Sequence, residues 1–121
     1  MSAETFFVEF FETDSGSCPV EDFLDALDDK TAAKVYAMIG LLEEYGNALR
    51  PPYSKHLDNG IFELRCNPGS NAVRVLYFFF VGKKIILTNG FLKKTQKTPA
   101  SEVELAKKYR DIYLRRKGAR S

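Results

Sequence analysis

An uninterrupted apolar run from Val75 to Val81 restricts the fold of this chain more than any other feature. The run has 7 residues, far fewer than the roughly 18 that a membrane-spanning helix needs. A run of this length is typical of a strand that is buried on both faces of a sheet. Left exposed, such a strand would promote aggregation. We therefore predict a central strand over Ala72–Val81 that is covered on both faces.

Helical and extended patterns alternate along the rest of the chain, with no internal repeat and no linker. The first half predicts a strand at Thr5–Glu12, a helix at Pro19–Leu27 and a second helix that is capped by Asp28 or Asp29 and ended by Gly46. The second half predicts strands at Ile61–Cys66 and Lys84–Phe91, on either side of the central strand in sequence. A last helix begins at Thr98-Pro99 or, alternatively, with a capping box at Ser101–Glu104. Gly82-Lys83 is predicted to be a two-residue turn between the last two strands.

This order, β-α-α-β-β-β-α, predicts one α+β domain over residues 1–121, with a small antiparallel sheet packed on two N-terminal helices. Helices on one face of such a sheet leave the other face available for water or a ligand. Residues from about 115 to 121 are predicted to form a frayed basic tail.

The charge of the chain is divided between its two halves. Residues 1–48 hold 2 basic and 11 acidic side chains, a net charge of −9, whereas residues 49–121 hold 16 basic and 5 acidic side chains, a net charge of +11. An asymmetry of this kind indicates contact with a polyanion through the basic half. The alternative is a dipolar chain whose halves neutralise each other. The predicted architecture would collect the basic side chains on one concave surface.

Several kinds of chemistry have no signal in the sequence. Cys18 and Cys66 lie far apart with neither a CxxC pair nor a histidine cluster near them, so we expect reduced thiols and no metal site. No phosphate-binding glycine loop, GxSxG turn or HExxH motif is present. We expect no cofactor, no small-molecule ligand, no membrane segment and a cytoplasmic location.

The candidates for proton transfer lie between the second helix and the strands. His56 is the single histidine of the chain, and its side chain is the one whose ordinary pKa is closest to neutral pH. Lys55 beside it would stabilise a phosphate and keep the imidazole neutral. The alternative is a loop or strand-edge histidine that is bonded to the backbone.

The candidates for phosphate binding are more numerous. Arg65 and Arg74 carry guanidinium groups that fit two phosphate oxygens at once, although each alone could be a surface ion pair with Glu63. A polar segment then leads from the last strand into the last helix, and it contains Lys93, Lys94, Thr95, Gln96, Lys97 and Thr98. The backbone N–H groups at a helix start add affinity for anions. The same composition also fits a basic surface loop.

Three aromatic residues, Tyr53, Tyr77 and Phe91, could stack on bases or belong to the core.

Four segments together resemble a known family. They are Pro52–Leu57, Phe62–Arg65, Arg74–Phe78 and Phe91–Pro99, and their order and spacing are similar to those of the HigB-like, phage-derived branch of the RelE/ParE toxin superfamily. The Lys-Lys-Thr-Gln-Lys-Thr-Pro stretch is the most specific match. The resemblance covers essentially the whole chain and implies the RelE-like fold.

The resemblance implies the toxin of a type II toxin–antitoxin pair, an endoribonuclease that enters the ribosomal A site and cuts mRNA there. The expected partners are the ribosome with its mRNA and a cognate helix-turn-helix antitoxin. By position, Arg74 matches the arginine that contacts the scissile phosphate. Lys55 and His56 match the basic positions before the sheet, and Lys93 and Lys94 match the cluster after the last strand.

We therefore predict metal-independent cleavage through attack by the 2′-hydroxyl. His56 would transfer the proton with help from Lys55 or Lys94. Arg65, Arg74 and Lys93 would hold the phosphate, and Thr95, Gln96 and Lys97 would bind the RNA beside it. The alternative is a binding module that does not cut RNA, either a ParE-like gyrase poison or an inactive phage relic that binds an antitoxin. In the predicted order of elements, Tyr109 and Tyr113 are packing residues of the last helix.

Overall fold

Strands and helices follow one another in the order β-α-α-β-β-β-β-α in the computed structural model, which describes residues 5–118. The elements are β1 (Phe7–Phe10), α1 (Pro19–Asp25), α2 (Asp29–Tyr45), a 3₁₀ turn (Gly46–Ala48), β2 (Ser54–Asp58), β3 (Ile61–Cys66), β4 (Val73–Phe80), β5 (Lys84–Leu92) and α3 (Ala100–Arg116). The α+β class is confirmed. The predicted order is wrong by one strand, β2, so the RelE-like fold stays a prediction.

The five strands form one mixed sheet in the order β1-β5-β4-β3-β2. β4 lies in the middle, as the apolar run predicts, and most of its side chains are buried. β1 pairs with β5 in parallel, and the other pairs are antiparallel. The prediction of a purely antiparallel sheet is therefore wrong. β2 lacks an apolar pattern because it is an edge strand, held mainly by its backbone bonds to β3.

Local sequence signals predicted the ends of the elements well. Asp28 caps α2 by accepting a hydrogen bond from the N–H of Thr31 at 3.1 Å. Gly46 ends α2 with a φ of 54°, a left-handed value that glycine adopts at low cost. Gly82 and Lys83 lie in the turn, with φ values of 78° and 63°. Because Phe80 pairs with Lys84, the turn has three residues, Val81 to Lys83, and the predicted length of two residues is wrong.

Two hydrophobic clusters lie on opposite faces of the sheet. On one face, α1 and α2 contribute Val20, Leu24, Val35, Ile39 and Leu42 to a core that includes Tyr77 and Leu64. On the other face, α3 contributes Ala106 and Tyr113 to a core that includes Leu76, Phe78 and Ile86. The expectation of an open second face is therefore wrong over the part that α3 covers. Burying apolar side chains on both faces of β4 requires this cover.

The helix α3 begins at Ala100, between the two starts that the sequence offers, and ends later than the sequence indicates. Its N-cap is Pro99, with no side-chain bond to the helix, because the hydroxyl of Thr98 is used elsewhere. At the other end, Arg116 is still helical and pairs with Asp14 at 2.7 Å. The beginning of the predicted basic tail is therefore the last turn of α3, and residues 119–121 lie outside the described residues.

Candidate nucleic-acid interface

The register of β2, β3 and β4 collects basic side chains on the face that α3 covers only in part. Lys55 pairs with Glu63 across β2 and β3, and Arg65 pairs with Arg74 across β3 and β4. Because side chains alternate between faces along a strand, Glu63 and Arg65 share a face with Ile61, which packs in the α3 core. The sheet thus brings together three cations from separate stretches of the chain.

A buried carboxylate, Glu63, lies at the centre of these cations. Its side chain is 0% exposed. Oε1 of Glu63 accepts a hydrogen bond from Nε of Arg65 at 3.1 Å and lies 3.8 Å from Nε of Arg74. Oε2 accepts a hydrogen bond from the hydroxyl of Thr98. A buried carboxylate needs such partners because water no longer solvates it.

Arg74 is itself mostly buried, at 8% exposure. Its Nη1 donates to Oδ1 of Asn67 and to the carbonyl of Val73, both at 3.0 Å. Its Nε is buried and makes no hydrogen bond to any of the residues 5–118. Burial, the largest effect on this side chain, lowers the pKa of Arg74, and Glu63 opposes that effect. The hydrogen bonds to Asn67 and Val73 therefore hold the guanidinium of Arg74 in one orientation.

Lys93 extends the cationic group beyond the end of β5. Its backbone N–H donates to the carbonyl of Ala72 at 2.7 Å, so its position is tied to the sheet. Burial lowers the pKa of Lys93, and the carboxylate of Glu63 raises it. The charges of Arg74, Arg65 and Lys55 lower that pKa further. Their mutual influence shows that these cations share one electrostatic environment.

Two cavities open beside Lys93, and Lys93 and Gln96 line both. The first, with a volume of about 330 Å³, is lined by Lys55, His56, Leu57, Asp58, Arg65, Lys93, Gln96, Lys97, Thr98, Ala100, Val103 and Glu104. The second, with a volume of about 430 Å³, is lined by Ala72, Arg74, Lys93, Lys94, Thr95 and Gln96. The structure thus places every phosphate-binding candidate of the sequence beside one of two adjoining cavities.

The loop between β5 and α3 forms the exposed wall of both cavities. The side chains of Lys94, Gln96 and Lys97 are exposed. The hydroxyl of Thr95 donates to the carbonyl of Lys97 at 2.6 Å and closes a tight turn. The lysine side chains of this loop are therefore accessible to a ligand.

His56 is arranged differently from the other candidates. It pairs with Phe62, and its ring lies edge-on to that ring at 5.0 Å. Phe62 in turn stacks on Tyr77 and packs on the α1–α2 side of the sheet. Nε2 of His56 accepts a hydrogen bond from the N–H of Gly60 at 3.0 Å. The imidazole ring is therefore directed away from Glu63 and Arg65, although the residue lines the first cavity.

The aromatic candidates for base stacking are also divided. Tyr77 is 1% exposed and Phe91 is 9% exposed, so both belong to the core. Tyr53 is 48% exposed and is the one available to a ligand. Tyr113 is buried and donates to Glu9 at 3.1 Å, and Tyr109 stacks on Phe11 at 4.6 Å. Both helix tyrosines are packing residues, as predicted.

Sequence reasoning named Glu63 only as a partner for the arginines and missed the role of Asn67. The signal for Glu63 was its position between Phe62 and Leu64 in a strand, where an acidic residue is unusual unless it is paired.

Among residues 5–118, no group of three or more His, Cys, Asp or Glu side chains is placed to hold a metal ion. Within the same residues, no helix is long and apolar enough to cross a membrane.

Comparison with models of known protein families identifies a family for this chain. The model of the family described as "Phage derived protein Gp49-like (DUF891)" matches residues 22–111, which include α2, the strands β2 to β5 and most of α3. A search of curated proteins found no match. The match agrees with the phage-derived part of the resemblance, and the HigB-like branch stays a prediction. Because the family model spans both cavities and well over half of the chain, this protein belongs to the Gp49-like family of phage-derived proteins.

Proposed function

We propose that this protein is the toxin of a type II toxin–antitoxin pair and that it inhibits translation by cutting mRNA on the ribosome. The observation that carries the proposal is the pairing of Arg65 and Arg74 with the single carboxylate of Glu63, beside Lys93, which lines both adjoining cavities. Three cations against one anion leave a positive site, and a phosphodiester supplies the missing negative charge. The Gp49-like family and the resemblance of the sequence to RelE/ParE toxins support the same conclusion.

The fixed orientation of the arginines suits the transition state of RNA cleavage. When the 2′-hydroxyl attacks, the negative charge on the phosphate oxygens increases. Donors that are already held in place stabilise this charge without having to reorganise. Glu63 holds Arg65 in this way, and Asn67 holds Arg74.

RNA cleavage also needs a group that gives a proton to the departing 5′-oxygen. We assign this role to Lys93, because it lies in the wall that both cavities share, and burial lowers the pKa of its ammonium group, the direction that favours release of a proton. Lys55 and Lys94 stand near it, in the first and second cavity respectively. For His56 to take the proton of the 2′-hydroxyl, its Nε2 must first release the N–H of Gly60.

The placement of His56 favours a second candidate function. With its imidazole directed to the opposite side of the sheet, the basic site would bind a polyanion without cutting it. The protein would then act as a ParE-like gyrase poison or as an antitoxin-binding relic.

Brief induction in bacterial cells, followed by mapping of the 5′ ends of cellular mRNA, tests the proposal. Cuts in register with codons support a ribosome-dependent nuclease, and we expect Lys93→Ala to reduce them by about 100-fold. Lys108→Ala removes an equal charge from the exposed side of α3 and serves as the control. Growth arrest with DNA damage and intact mRNA would instead indicate a gyrase poison. Normal growth without the antitoxin would indicate a relic.

A further inference from the structure

We propose that the two adjoining cavities bind two successive phosphates of one nucleic-acid strand. This inference rests on the proposed function, because it describes how the same site would hold its substrate. Lys93 and Gln96 form the wall that the cavities share. Each cavity has its own arginine, Arg65 in the first and Arg74 in the second.

Glu63 explains how two arginines are held side by side. Nε of Arg65 and Nε of Arg74 lie 3.1 Å and 3.8 Å from the same carboxylate oxygen. Two guanidinium groups this close would repel each other without the shared anion. The charge of Glu63 therefore allows both cations to lie close together, while Asn67 orients Arg74, and one arginine lines each cavity.

The exposed lysines are distributed like the arginines, with one in the lining of each cavity. Lys97 lines the first cavity and Lys94 lines the second. The second cavity has no acidic residue in its lining. The carboxylates of Asp58 and Glu104 line the first cavity, and Lys107 pairs with them at 2.6 Å and 3.5 Å. Both cavities therefore present an excess of positive charge to a ligand.

A polynucleotide fits this arrangement better than a single anion does. Successive phosphates of a strand are joined through one sugar and therefore need two neighbouring sites, which two cavities that share Lys93 and Gln96 provide. The lysines on the loop side are exposed, so a strand can enter from solvent and continue past either cavity. A free phosphate ion would occupy one cavity and leave the other unsatisfied.

The test uses deoxythymidine oligonucleotides without terminal phosphates, because they lack the 2′-hydroxyl and cannot be cut by the proposed mechanism. The dinucleotide d(TpT) has one phosphodiester, d(TpTpT) has two and d(TpTpTpT) has three. Binding is measured at low salt by NMR titration. We expect d(TpTpT) to bind at least about tenfold more tightly than d(TpT), the gain from one added charge-assisted contact. The third phosphodiester should add only about twofold, because it offers a second register without a third site.

Three variants identify the cavities. Lys94→Ala and Lys97→Ala should each remove most of the gain from d(TpT) to d(TpTpT), since each weakens one cavity and leaves the other. Lys108→Ala removes the same charge outside both cavities and should keep the gain. Equal binding of d(TpT) and d(TpTpT), no binding of any of the three, or an undiminished gain in both loop variants would overturn the inference.

The mRNA mapping described above separates this inference from the proposed function. Codon-register cuts together with equal binding of the two short oligonucleotides would overturn the two-phosphate site and leave the nuclease. The expected increase in affinity from d(TpT) to d(TpTpT), without any mRNA cuts in cells, would support the two-phosphate site and reject the nuclease.

Discussion

Lys55 and His56 are neighbours in the sequence, yet their side chains lie on opposite faces of the sheet. Lys55 pairs with Glu63, on the face of the cation cluster, and His56 pairs with Phe62, on the face of α1 and α2. The alternation of a β-strand enforces this separation. A single motif of two basic residues is thereby divided between two sides of the molecule.

Substitutions at these two positions should have different effects. We expect Lys55→Ala to weaken binding of d(TpTpT) by about threefold to tenfold, because it removes a cation from the first cavity. We expect His56→Ala to weaken that binding less than Lys55→Ala does, because its ring packs on Phe62 at the opposite face, and to lower the free energy of unfolding by about 1 kcal/mol through loss of the Gly60 hydrogen bond. Titration and urea unfolding measure the two quantities. A larger loss of binding in the histidine variant than in the lysine variant would contradict this assignment.

Glu63 should be important for stability as well as for the site. We expect Glu63→Gln to lower the free energy of unfolding by about 3 kcal/mol, because two cations then lose a buried anion. Added sulfate should raise the free energy of unfolding of this variant more than that of the wild type, because the anion can bind beside the two arginines that have lost the charge of Glu63.

The matched control is Glu104→Gln, at a side chain that is 72% exposed. Its effect on urea unfolding should stay within about 1 kcal/mol, as for other exposed ion pairs. Equal effects of the two substitutions would show that Glu63 is not the centre of the cluster.

Thr98 is expected to act through Glu63 and not as a helix cap. Thr98→Val keeps the shape of the side chain but removes the hydroxyl that Glu63 accepts from, and it should cost about 1–2 kcal/mol of stability. Thr98→Ser keeps the hydroxyl and should cost less than about 0.5 kcal/mol.

A double-mutant cycle between Thr98→Val and Glu63→Gln, measured by urea unfolding, tests whether the two residues are coupled. Their effects should not add, because each substitution removes part of the same buried network. Strict additivity would assign the effect of Thr98 to the start of α3.

Two buried tyrosines should make the protein sensitive to alkali. Burial raises the pKa of Tyr77 and of Tyr113 to about 12 in the folded protein, above the ordinary value near 10. Their contribution to stability is therefore complete below about pH 10 and is lost as the pH rises from there through 12.

Urea unfolding at a series of pH values measures this loss. In the double variant Tyr77→Phe, Tyr113→Phe the decline above pH 10 should be clearly smaller. Absorbance at alkaline pH should also show 2 of the 6 tyrosines ionising after the rest. Ionisation of all the tyrosines together in the folded protein would contradict the prediction.

The sequence alone determined the features that depend on neighbouring residues. The apolar run identified β4 as the central strand, and Asp28, Gly46 and Gly82-Lys83 marked the ends of elements, since capping and turn chemistry act over a few residues. The sequence also located the basic residues that line the two cavities.

Only the tertiary structure decided which of these residues meet. The parallel pairing of β1 with β5, the cover of α3 on the second face and the sides taken by Lys55 and His56 all depend on strand register between distant segments. The burial of Glu63 among two arginines and Thr98 depends on it as well. A shift of register by one residue would reverse the face of every side chain, so local patterns cannot settle such relationships.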